Sequence, residues 1–480
     1  MASTRRDFLR QTGCALLGGA AFMSGIEDFG LVHAFAQGSS AATDYRALVC
    51  IFLSGGNDGN NTIVPVDIPR FGEYNGVRTA AGLALPAPGL AGGLLPINPT
   101  SGGEYGLHPS LPELKALFDN RQLAVVANVG PLVEPLTRDT YRNGSGRRPS
   151  QLFSHSDQIA QWQTSVSNDS SPSGWGGRTA DRAAPLNGGA TFPQVVSIAG
   201  TSLFATGAST RPLGISDART SLAAVLPLNN PPGASGYTTA QSNARRAAFD
   251  ALRDTDMGAM LVRASRDVTQ QAIQTGLALS TNPTINTRFP PSVNNTTNLT
   301  TLGAQLLQVA KIIALRDTLG VKRQIFFCQL GGFDTHSAQG TTTGTHANLL
   351  TQVSQAMKAF YDATVELGVQ NSVTTFTLSD FGRTLQPAGS GGAVGSDHGW
   401  GNHQFIMGGA VRGGDFYGRF PTLALGGPDD TDTRGRWIPT TSVEQYAATL
   451  AAWYGLPASD IPLVFPLIGR FPSANLGFMS

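Results

Sequence analysis

Acidic and histidine side chains recur just after apolar runs in this sequence. Asp58 follows the run 47–53, Asp334 and His336 follow 325–330, and Asp380 and Arg383 follow 373–378. Three further candidates lie within 396–403 and are Asp397, His398 and His403. Oxygen and imidazole without thiolate suit Zn, Mn, Mg or Ca, and Zn is favoured as the number of histidines rises. Two such ions about 4 Å apart would clamp both oxygens of an in-line displacement at phosphorus or sulfur.

Other interpretations of the same residues stay open at this point. An Asp beside Gly just past a strand also makes Asx-turns or caps a following helix, which applies to Asp58. Asp397 and His398 also suit an exposed turn in a glycine-rich loop. His346 opens a predicted helix and is interpreted as a cap or surface residue. A further interpretation is that the acids only fix long loops and bind no metal.

The apolar runs predict the elements that would position these side chains. The run 47–53 is continuously apolar, which is typical of a strand buried on both faces, and 325–330 is also interpreted as a buried strand. The mainly apolar run 123–129, the run 373–378 and a weaker one at 194–198 are further strand candidates. Apolar residues at helical spacing over 346–367 make 323–384 a β-α-β unit with parallel strands. Because ligands of parallel sheets sit beyond the carboxyl ends of the strands, the acids are expected to meet there. We predict one α/β domain over 44–480 with long loop insertions, including a Thr/Asn/Pro-rich surface excursion at 281–301.

Composition and missing motifs exclude several classes of protein. Charged residues make up 14% of the chain, against about 25% in an average globular protein, and the net charge is +1. No basic field is available to bind a nucleic acid backbone, so nucleic acid is excluded as a partner. The motifs of serine hydrolases with a nucleophile elbow, P-loop NTPases, thioredoxins and zincins do not occur. Cys50 and Cys328 lie in apolar runs and are predicted to be reduced and structural.

Residues 1–36 are predicted to be an export signal rather than part of the fold. Arg5 and Arg6 form a twin-arginine pattern, and the small and apolar run 13–23 follows. That run has 11 residues, whereas a helix needs about 20 to span a bilayer. Cleavage after the small-x-small sequence 34–36 would start the mature chain near Gln37. The predicted partner is the twin-arginine translocase, the location is periplasmic or secreted, and no stable membrane anchor remains after cleavage.

The mature chain contains a series of distinctive motifs in a fixed order. They are FLSGGNDGNNTIVP at 52–65, LHPSLPEL at 107–114, FSHSDQIAQWQ at 153–163, GGFDTH at 331–336, LSDFGRT at 378–384 and DHGWGNHQFIMGGAVRGGDFYG at 397–418. With these motifs the chain resembles a bacterial family known as domain of unknown function 1501. The family is similar to the alkaline phosphatase and sulfatase superfamily. This resemblance implies a doubly wound, mostly parallel sheet with helices on both faces, and one or two metals held by Asp and His at strand ends. The metal residues it implies are Asp58, Asp334, His336, Asp380, Asp397 and His398.

The same resemblance implies where a nucleophile would lie and what the chain would do. The superfamily's nucleophile is a Ser, Thr or modified Cys at a helix start, which falls best at Ser154-His155-Ser156 just before a predicted helix. Ser154 is the better candidate because Ser156 is equally well explained as an N-cap, and His155 is counted with Ser154 and Arg383 among the catalytic residues. No Cys-x-Pro-x-Arg sulfatase motif is present, and Phe381 stands where the superfamily often has a histidine. The expectation is an exported metal-dependent hydrolase-like protein for phosphate or related esters, with Arg383 or Asn57 contacting a small anionic substrate. The alternative is a non-catalytic periplasmic binding or accessory protein that retains the fold.

Overall fold

The structure of the protein is a computed structural model. Its strands are numbered in chain order. The structure describes residues 44–222, 239–253, 255, 258–292 and 295–480. Within these ranges the strands are β1 (Arg46–Leu53), β2 (Ile63–Pro65), β3 (Leu95–Ile97), β4 (Tyr105–Leu107), β5 (Leu123–Gly130), β6 (Val195–Ser197), β7 (Leu213–Gly214), β8 (Pro291–Ser292), β9 (Asn295–Leu299), β10 (Arg323–Leu330), β11 (Val373–Ser379), β12 (Arg383–Ala388), β13 (Gly395–His398), β14 (Asn402–Met407), β15 (Phe416–Tyr417) and β16 (Thr441–Ser442).

The helices lie mainly between strands of one large sheet. They are α1 (Gly59–Thr62), α2 (Ile68–Arg78), α3 (Pro112–Asp119), α4 (Arg138–Arg142), α5 (His155–Thr164), α6 (Trp175–Ala183), α7 (Thr239–Arg253), α8 (Met260–Ala278), α9 (Thr301–Ala314), α10 (Thr345–Glu366), α11 (Val443–Tyr454) and α12 (Ile461–Val464). The chain divides into two units, Met1–Tyr45 and Arg46–Ser480, and the second is described below. The predicted signal, 1–36, lies outside the described residues.

A nine-stranded sheet forms the centre of the Arg46–Ser480 unit. Its order is β15-β5-β14-β11-β1-β10-β6-β7, and β16 also pairs with β5. All neighbouring pairs are parallel except those that β14 makes with β11 and β5, so β14 alone runs against the other strands of this sheet. The prediction of an α/β fold with a mostly parallel sheet is therefore confirmed. Small sheets, β2-β4-β3, β12-β13 and β8-β9, lie in the connections.

Helices cover both faces of the sheet, which agrees with the burial of the central strands along almost their whole length. On one face, Cys50 and Phe327 belong to an apolar cluster with Trp162 of α5, Trp175 of α6 and Tyr446 of α11. On the other face α9 contacts β10 and packs on α10. The parallel register pairs Cys50 with Phe327 and Cys328 with Ile51, which turns the two thiols to opposite faces. Both cysteines are buried and free.

The register also brings three strand ends to one level. Leu53, at the end of β1, is paired with Leu330 of β10 and with Ser379 of β11. The predicted β-α-β unit is present as β10, α10 and β11, but β1 lies between its two strands, so α10 carries the chain across β1. The loops after β1, β10 and β11 therefore leave the same edge of the sheet side by side.

Two further features of the chain bear on the sequence predictions. The predicted excursion at 281–301 contains the β8-β9 hairpin, and its residues Asn286 and Thr287 donate to the carboxylate of Glu366. None of the described helices combines the length and apolarity needed to span a membrane.

Candidate metal centre

A glycine turn joins the three loops that follow β1, β10 and β11. Gly55 has φ +116°, in the region that favours glycine, and an added Cβ would lie 2.3 Å from the backbone nitrogen of Asp334. The backbone N–H of Gly55 donates to Oδ1 of Asp380 at 3.0 Å. This turn therefore sets the distance between the two acid-bearing loops.

Three imidazoles surround one carboxylate oxygen at this edge of the sheet. His155 is the first residue of α5, Asp334 and His336 lie after β10, and His398 ends β13. The Nε2 atoms of His155, His336 and His398 lie 3.5, 3.3 and 3.7 Å from Oδ1 of Asp334. We call these four residues the His/Asp cluster. Two predicted metal residues, Asp334 and His398, and one predicted catalytic residue, His155, form a group whose ligand atoms all lie within 4.8 Å of one another.

The Nδ1 atom of each imidazole is held by an acceptor outside the cluster. His155 Nδ1 lies 2.7 Å from Oδ2 of Asp380, and His336 Nδ1 lies 3.1 Å from Oδ1 of Asp397. His398 Nδ1 lies 2.7 Å from the carbonyl oxygen of Phe153. Because carboxylates and carbonyls accept, each Nδ1 carries the proton and donates it. Metal-binding histidines in proteins are usually oriented by such a second hydrogen bond.

The protonation pattern leaves unprotonated nitrogens facing one another. With Nδ1 protonated, a neutral imidazole has a lone pair on Nε2, yet Nε2 of His336 lies 2.7 Å from Nε2 of His398. Nε2 of His155 is buried and has no hydrogen-bond partner. A proton shared by two imidazoles would relieve only the first of these contacts. A divalent cation would be bound by the Nε2 atoms of His155 and His398 together with Asp334, so this donor set fits a metal ion.

The separations within the cluster also fit a metal ion. Two ligands at about 2.1 Å from a tetrahedral Zn²⁺ are separated by about 3.4 Å. The contacts between Nε2 and Oδ1 atoms in the cluster span 2.7 to 3.7 Å. With several histidines and a carboxylate, Zn²⁺ or Mn²⁺ suits this site better than Mg²⁺ or Ca²⁺, which prefer oxygen ligands.

Arg383 holds Asp334 in place from behind the cluster. Its guanidinium is fully buried, and Nη2 lies 2.5 Å from Oδ1 of Asp334. Nε donates to Gly56 O, Nη1 to Ser396 O, and Nη2 also to Gly55 O. Burial raises the pKa of Asp334, but the hydrogen bond and charge of Arg383, with the nearby imidazoles, outweigh it and leave the pKa below its ordinary value. All three nitrogens of Arg383 donate to oxygens of the protein itself. Arg383 therefore holds Asp334 in position, in contrast to the prediction that it contacts a substrate.

Two arginines of the 426–436 loop support the outer side of the cluster. Arg434 Nη2 is paired with Oδ2 of Asp397, the carboxylate that holds His336. Burial raises the pKa of Asp397, yet Arg434 and His336 together leave it below its ordinary value. Arg436 Nε donates to the backbone oxygen of His398 at 3.0 Å, and its guanidinium lies over the ring of Phe153.

The remaining supporting groups have pKa shifts that follow from their burial. Burial raises the pKa of Asp380 above its ordinary value, although His155 and the Gly55 N–H act against this. Burial also lowers the pKa of His398, against the effect of its bond to the Phe153 carbonyl. Phe153, a non-glycine residue, has φ +71°, a conformation that costs free energy and that here aims its carbonyl at His398.

Asp58 does not join the cluster but forms a buried ion pair. Its side chain accepts from Asn60 N and caps α1, as the alternative interpretation predicted. Arg78 Nη1 lies 2.6 Å from Oδ2, and Gln339 Nε2 donates to the same oxygen at 2.6 Å. Both Asp58 and Arg78 are 0% exposed. Burial raises the pKa of Asp58, but Arg78 outweighs this and holds it below its ordinary value. The positive charge expected from a metal is supplied here by Arg78.

Two other predicted residues are also placed elsewhere. His403 lies within β14, where its Nδ1 accepts from Asn128 N and its ring stacks on Phe420. Asn57 is 2% exposed and bonds to Thr62 and His346 inside the protein, so it offers no contact to a substrate. His346 is 0% exposed, so its interpretation as a surface residue was wrong.

Ser154 stands immediately before the first residue of α5. Its Oγ lies 2.6 Å from Oδ2 of Asp157, and Ser156 Oγ lies 3.1 Å from the same oxygen. The hydroxyl of Ser154 therefore has a carboxylate that can accept its proton. No side chain caps the first turn of α5 at Ser154, which leaves the turn's backbone N–H groups without that partner.

Sequence reasoning missed several residues that shape the site. Arg78 and Gln339 were not considered, because each lies outside the short segments that follow strands. For Arg434 the sequence held a weak signal, because the two arginines of 434–436 follow closely after three aspartates. His155 was predicted as a catalytic residue rather than as a neighbour of Asp334.

Comparison with known proteins identifies the family. Residues 45–431 match the family described as "Protein of unknown function (DUF1501)". The chain belongs to this family. The resemblance predicted from the motifs is thereby confirmed. No curated protein matches the chain.

Solved structures with a similar path of the chain include a periplasmic domain and a sulfatase. A structure described as the C-terminal periplasmic domain of EcEptC from Escherichia coli, in complex with Zn, is 10% identical, with 90% of this chain and 89% of that chain covered and a TM-score of 0.34. The PsFucS1 sulfatase from Pseudoalteromonas sp. is 10% identical, with coverages of 82% and 68% and a TM-score of 0.30. Scores this low describe a distant likeness.

Proposed function

We propose that this DUF1501 protein is a metal-dependent hydrolase-like protein that acts on phosphate or related esters. The observation that carries the proposal is the arrangement of three imidazoles. Each has Nδ1 bound to an outside acceptor and Nε2 turned towards Oδ1 of Asp334. This pattern serves metal binding, whereas an acid that only fixes a loop needs no convergent imidazoles.

The residues around the cluster have separate parts in the proposed reaction. Asp380 and Asp397 orient His155 and His336, and Arg383 orients Asp334. When bound, the metal supplies Lewis-acid polarisation of an ester oxygen. Ser154, with Asp157 as proton acceptor, is the proposed nucleophile. The overall reaction consumes one water, breaks the ester bond to phosphorus or sulfur, and releases an alcohol and the corresponding acid.

Metal content and ester hydrolysis measured together test this proposal. The chain from residue 37 would be incubated with Zn, Mn, Mg or Ca in turn, and bound metal measured by inductively coupled plasma mass spectrometry. We expect near-stoichiometric metal that is lost in Asp334→Asn and in His398→Asn. Asp362→Asn, which removes an exposed acid paired with Lys358, is the matched control and should retain the metal.

The outcomes separate the two functions that the sequence left open. Ester turnover that is lost in Ser154→Ala, with metal retained, supports the hydrolase. Metal binding without turnover of any phosphate or sulfate ester supports the non-catalytic binding protein instead. Absence of metal after incubation with every ion would contradict both the metal centre and the hydrolase.

We further propose that the chain is exported through the twin-arginine translocase to the periplasm or beyond. The support is the pattern of residues 1–36, with Arg5 and Arg6 before a short apolar run. The double substitution Arg5→Lys and Arg6→Lys should leave the uncleaved chain in the cytoplasm of the producing cell. Unchanged export of that variant would rule out this route.

A further inference from the structure

The side chain of Gln339 lies between the two segments that carry Asp334 and His398. Its Oε1 accepts from Ser396 Oγ at 2.6 Å and from Thr335 Oγ1 at 3.2 Å. Thr335 directly follows Asp334, and Ser396 stands two residues before His398. Gln339 and both hydroxyl-bearing residues are buried. The amide of Gln339 therefore cross-links the loop after β10 to strand β13.

The orientation of this amide is set by Asp58. Gln339 Nε2 donates to Oδ2 of Asp58 at 2.6 Å, and an ionised carboxylate can only accept. Oε1 must therefore point the other way, towards the two hydroxyls. Asp58 is itself held by Arg78 through two hydrogen bonds. The backbone of Gln339 is fixed as well, because its N donates to Val394 O and its O accepts from His346 N.

The two cross-linked segments also touch through their backbones. Ser396 N donates to Thr335 O at 3.1 Å, and a Cβ added to Gly395 would lie 2.2 Å from the same oxygen. One backbone bond leaves the segments free to turn about it. The two side-chain bonds to Gln339 add a second contact, which fixes the angle between the segments and with it the separation of the metal-binding side chains.

We propose that Gln339 is a positioning residue of the metal centre, which holds Asp334 and His398 at the separation that a cation requires. In the structure, Oδ1 of Asp334 lies 3.7 Å from Nε2 of His398. Gln339 acts on these two residues through Thr335 and Ser396. The inference rests on the proposed function, because it concerns the same metal centre. Loss of a contact that orients metal ligands typically costs about 10- to 100-fold in metal affinity.

Two single substitutions separate hydrogen bonding from packing. Gln339→Met keeps a side chain of similar length but removes its three side-chain hydrogen bonds. Gln339→Glu keeps the acceptor for the two hydroxyls but places a second carboxylate against Asp58. We expect the affinity for Zn²⁺, measured by competition with a chromogenic chelator, to fall by about tenfold or more in both variants. Gln274→Glu, at an exposed position on α8, is the matched control and should leave the affinity unchanged.

An exchange of acid and amide between two positions provides the rescue. In Asp58→Asn with Gln339→Glu, the amide at position 58 can accept from Arg78 and donate to the carboxylate at position 339. That carboxylate can still accept from both hydroxyls, and the total charge of the buried group is unchanged. The double variant should therefore recover the affinity lost in Gln339→Glu. Affinity that stays low while the urea midpoint recovers would overturn the inference, and so would full affinity in Gln339→Met, because packing alone would then suffice.

A measurement on the metal-free protein keeps this inference separate from the proposed function. With ¹⁵N-labelled histidine, the Nδ1 resonances of His336 and His398 report their hydrogen bonds to acceptors outside the cluster. Gln339→Met should shift both resonances, and His403, bonded to Asn128 N, serves as the reference. Such shifts without metal binding by the unsubstituted protein would support the positioning of the imidazoles by Gln339 and contradict the proposed function. Unchanged resonances with unchanged metal affinity would overturn the inference and leave the proposed function standing.

Discussion

Asp58 and Asp334 show that the same residue type after a strand can have two roles. Asp58 is buried in an ion pair with the guanidinium of Arg78. Asp334 instead accepts from Arg383 through Oδ1, and the same oxygen faces the Nε2 atoms of three histidines. The sequence predicted Asp334 and His336 because they follow an apolar run at one sheet edge, and His398 because it stands beside Asp397 after a glycine-rich segment. It could not separate Asp58 from them, because Arg78 lies twenty residues further on, in a helix without a distinctive pattern.

Substitution of Asp58 tests whether this residue is structural. Asp58→Asn leaves the buried Arg78 without a counter-charge, which costs about 3–5 kcal/mol of the free energy of unfolding. Urea denaturation should show this loss, while the metal-to-protein ratio stays that of the unsubstituted chain. The double variant Asp58→Asn with Arg78→Met removes the uncompensated charge and should restore part of the lost free energy of unfolding. Loss of metal at unchanged stability would instead assign Asp58 to the metal centre.

At the scale of elements, apolar runs predicted the central strands well but not their order. Runs 47–53, 325–330 and 373–378 became β1, β10 and β11, which differ from the predictions by a few terminal residues. The place of β1 between the other two depends on pairing across hundreds of residues, which no local pattern encodes. His403 was misplaced for a related reason. It is close in sequence to His398, but β14 carries it back into the sheet beside Asn128.

The turn at Gly55 should control the metal centre through the spacing of two loops. Gly55→Ala places a Cβ 2.3 Å from the backbone nitrogen of Asp334, so one loop must move. We expect metal affinity, measured by competition with a chromogenic chelator, to fall by about tenfold or more, as for loss of an outer-sphere contact. Gly102→Ala is the control, because Gly102 has a similar φ of +99° but open space around it. Equal effects of the two substitutions would attribute the result to backbone strain rather than to contact with Asp334.

Across the whole molecule, buried titratable groups outside the cluster link stability to pH in opposite directions. Burial lowers the pKa of His346 and His403 to about 3 and that of His108 to about 4, from an ordinary 6.5. Burial raises the pKa of Glu444 to about 8, from an ordinary 4.5. The histidines contribute stability above pH 6.5 that is lost as the pH falls towards 4. Glu444 contributes stability below pH 4.5 that is lost as the pH rises to 8.

These shifts predict that the metal-free protein is most stable near pH 6.5. Each proton bound differently by the folded and unfolded chains changes stability by about 1.4 kcal/mol per pH unit. Near pH 5.5 the unfolded chain binds protons on three histidines that the folded chain does not bind, while the folded chain keeps one on Glu444. Stability should therefore fall by about 3 kcal/mol per pH unit on the acid side. Above pH 6.5 only Glu444 remains of these four groups, and stability should fall more gently as the pH rises.

Glu444→Gln separates the two sides of this profile. Urea denaturation in the presence of a chelator, from pH 4 to pH 9, should show that the variant loses the decline above pH 6.5. Its acid side should become steeper, because the proton kept by Glu444 no longer offsets those of the histidines. Glu73→Gln, which replaces an exposed glutamate on α2, should leave the profile unchanged. If the alkaline decline persists in Glu444→Gln, the carboxyl of Glu444 is already ionised in the folded protein, and the decline arises from another group.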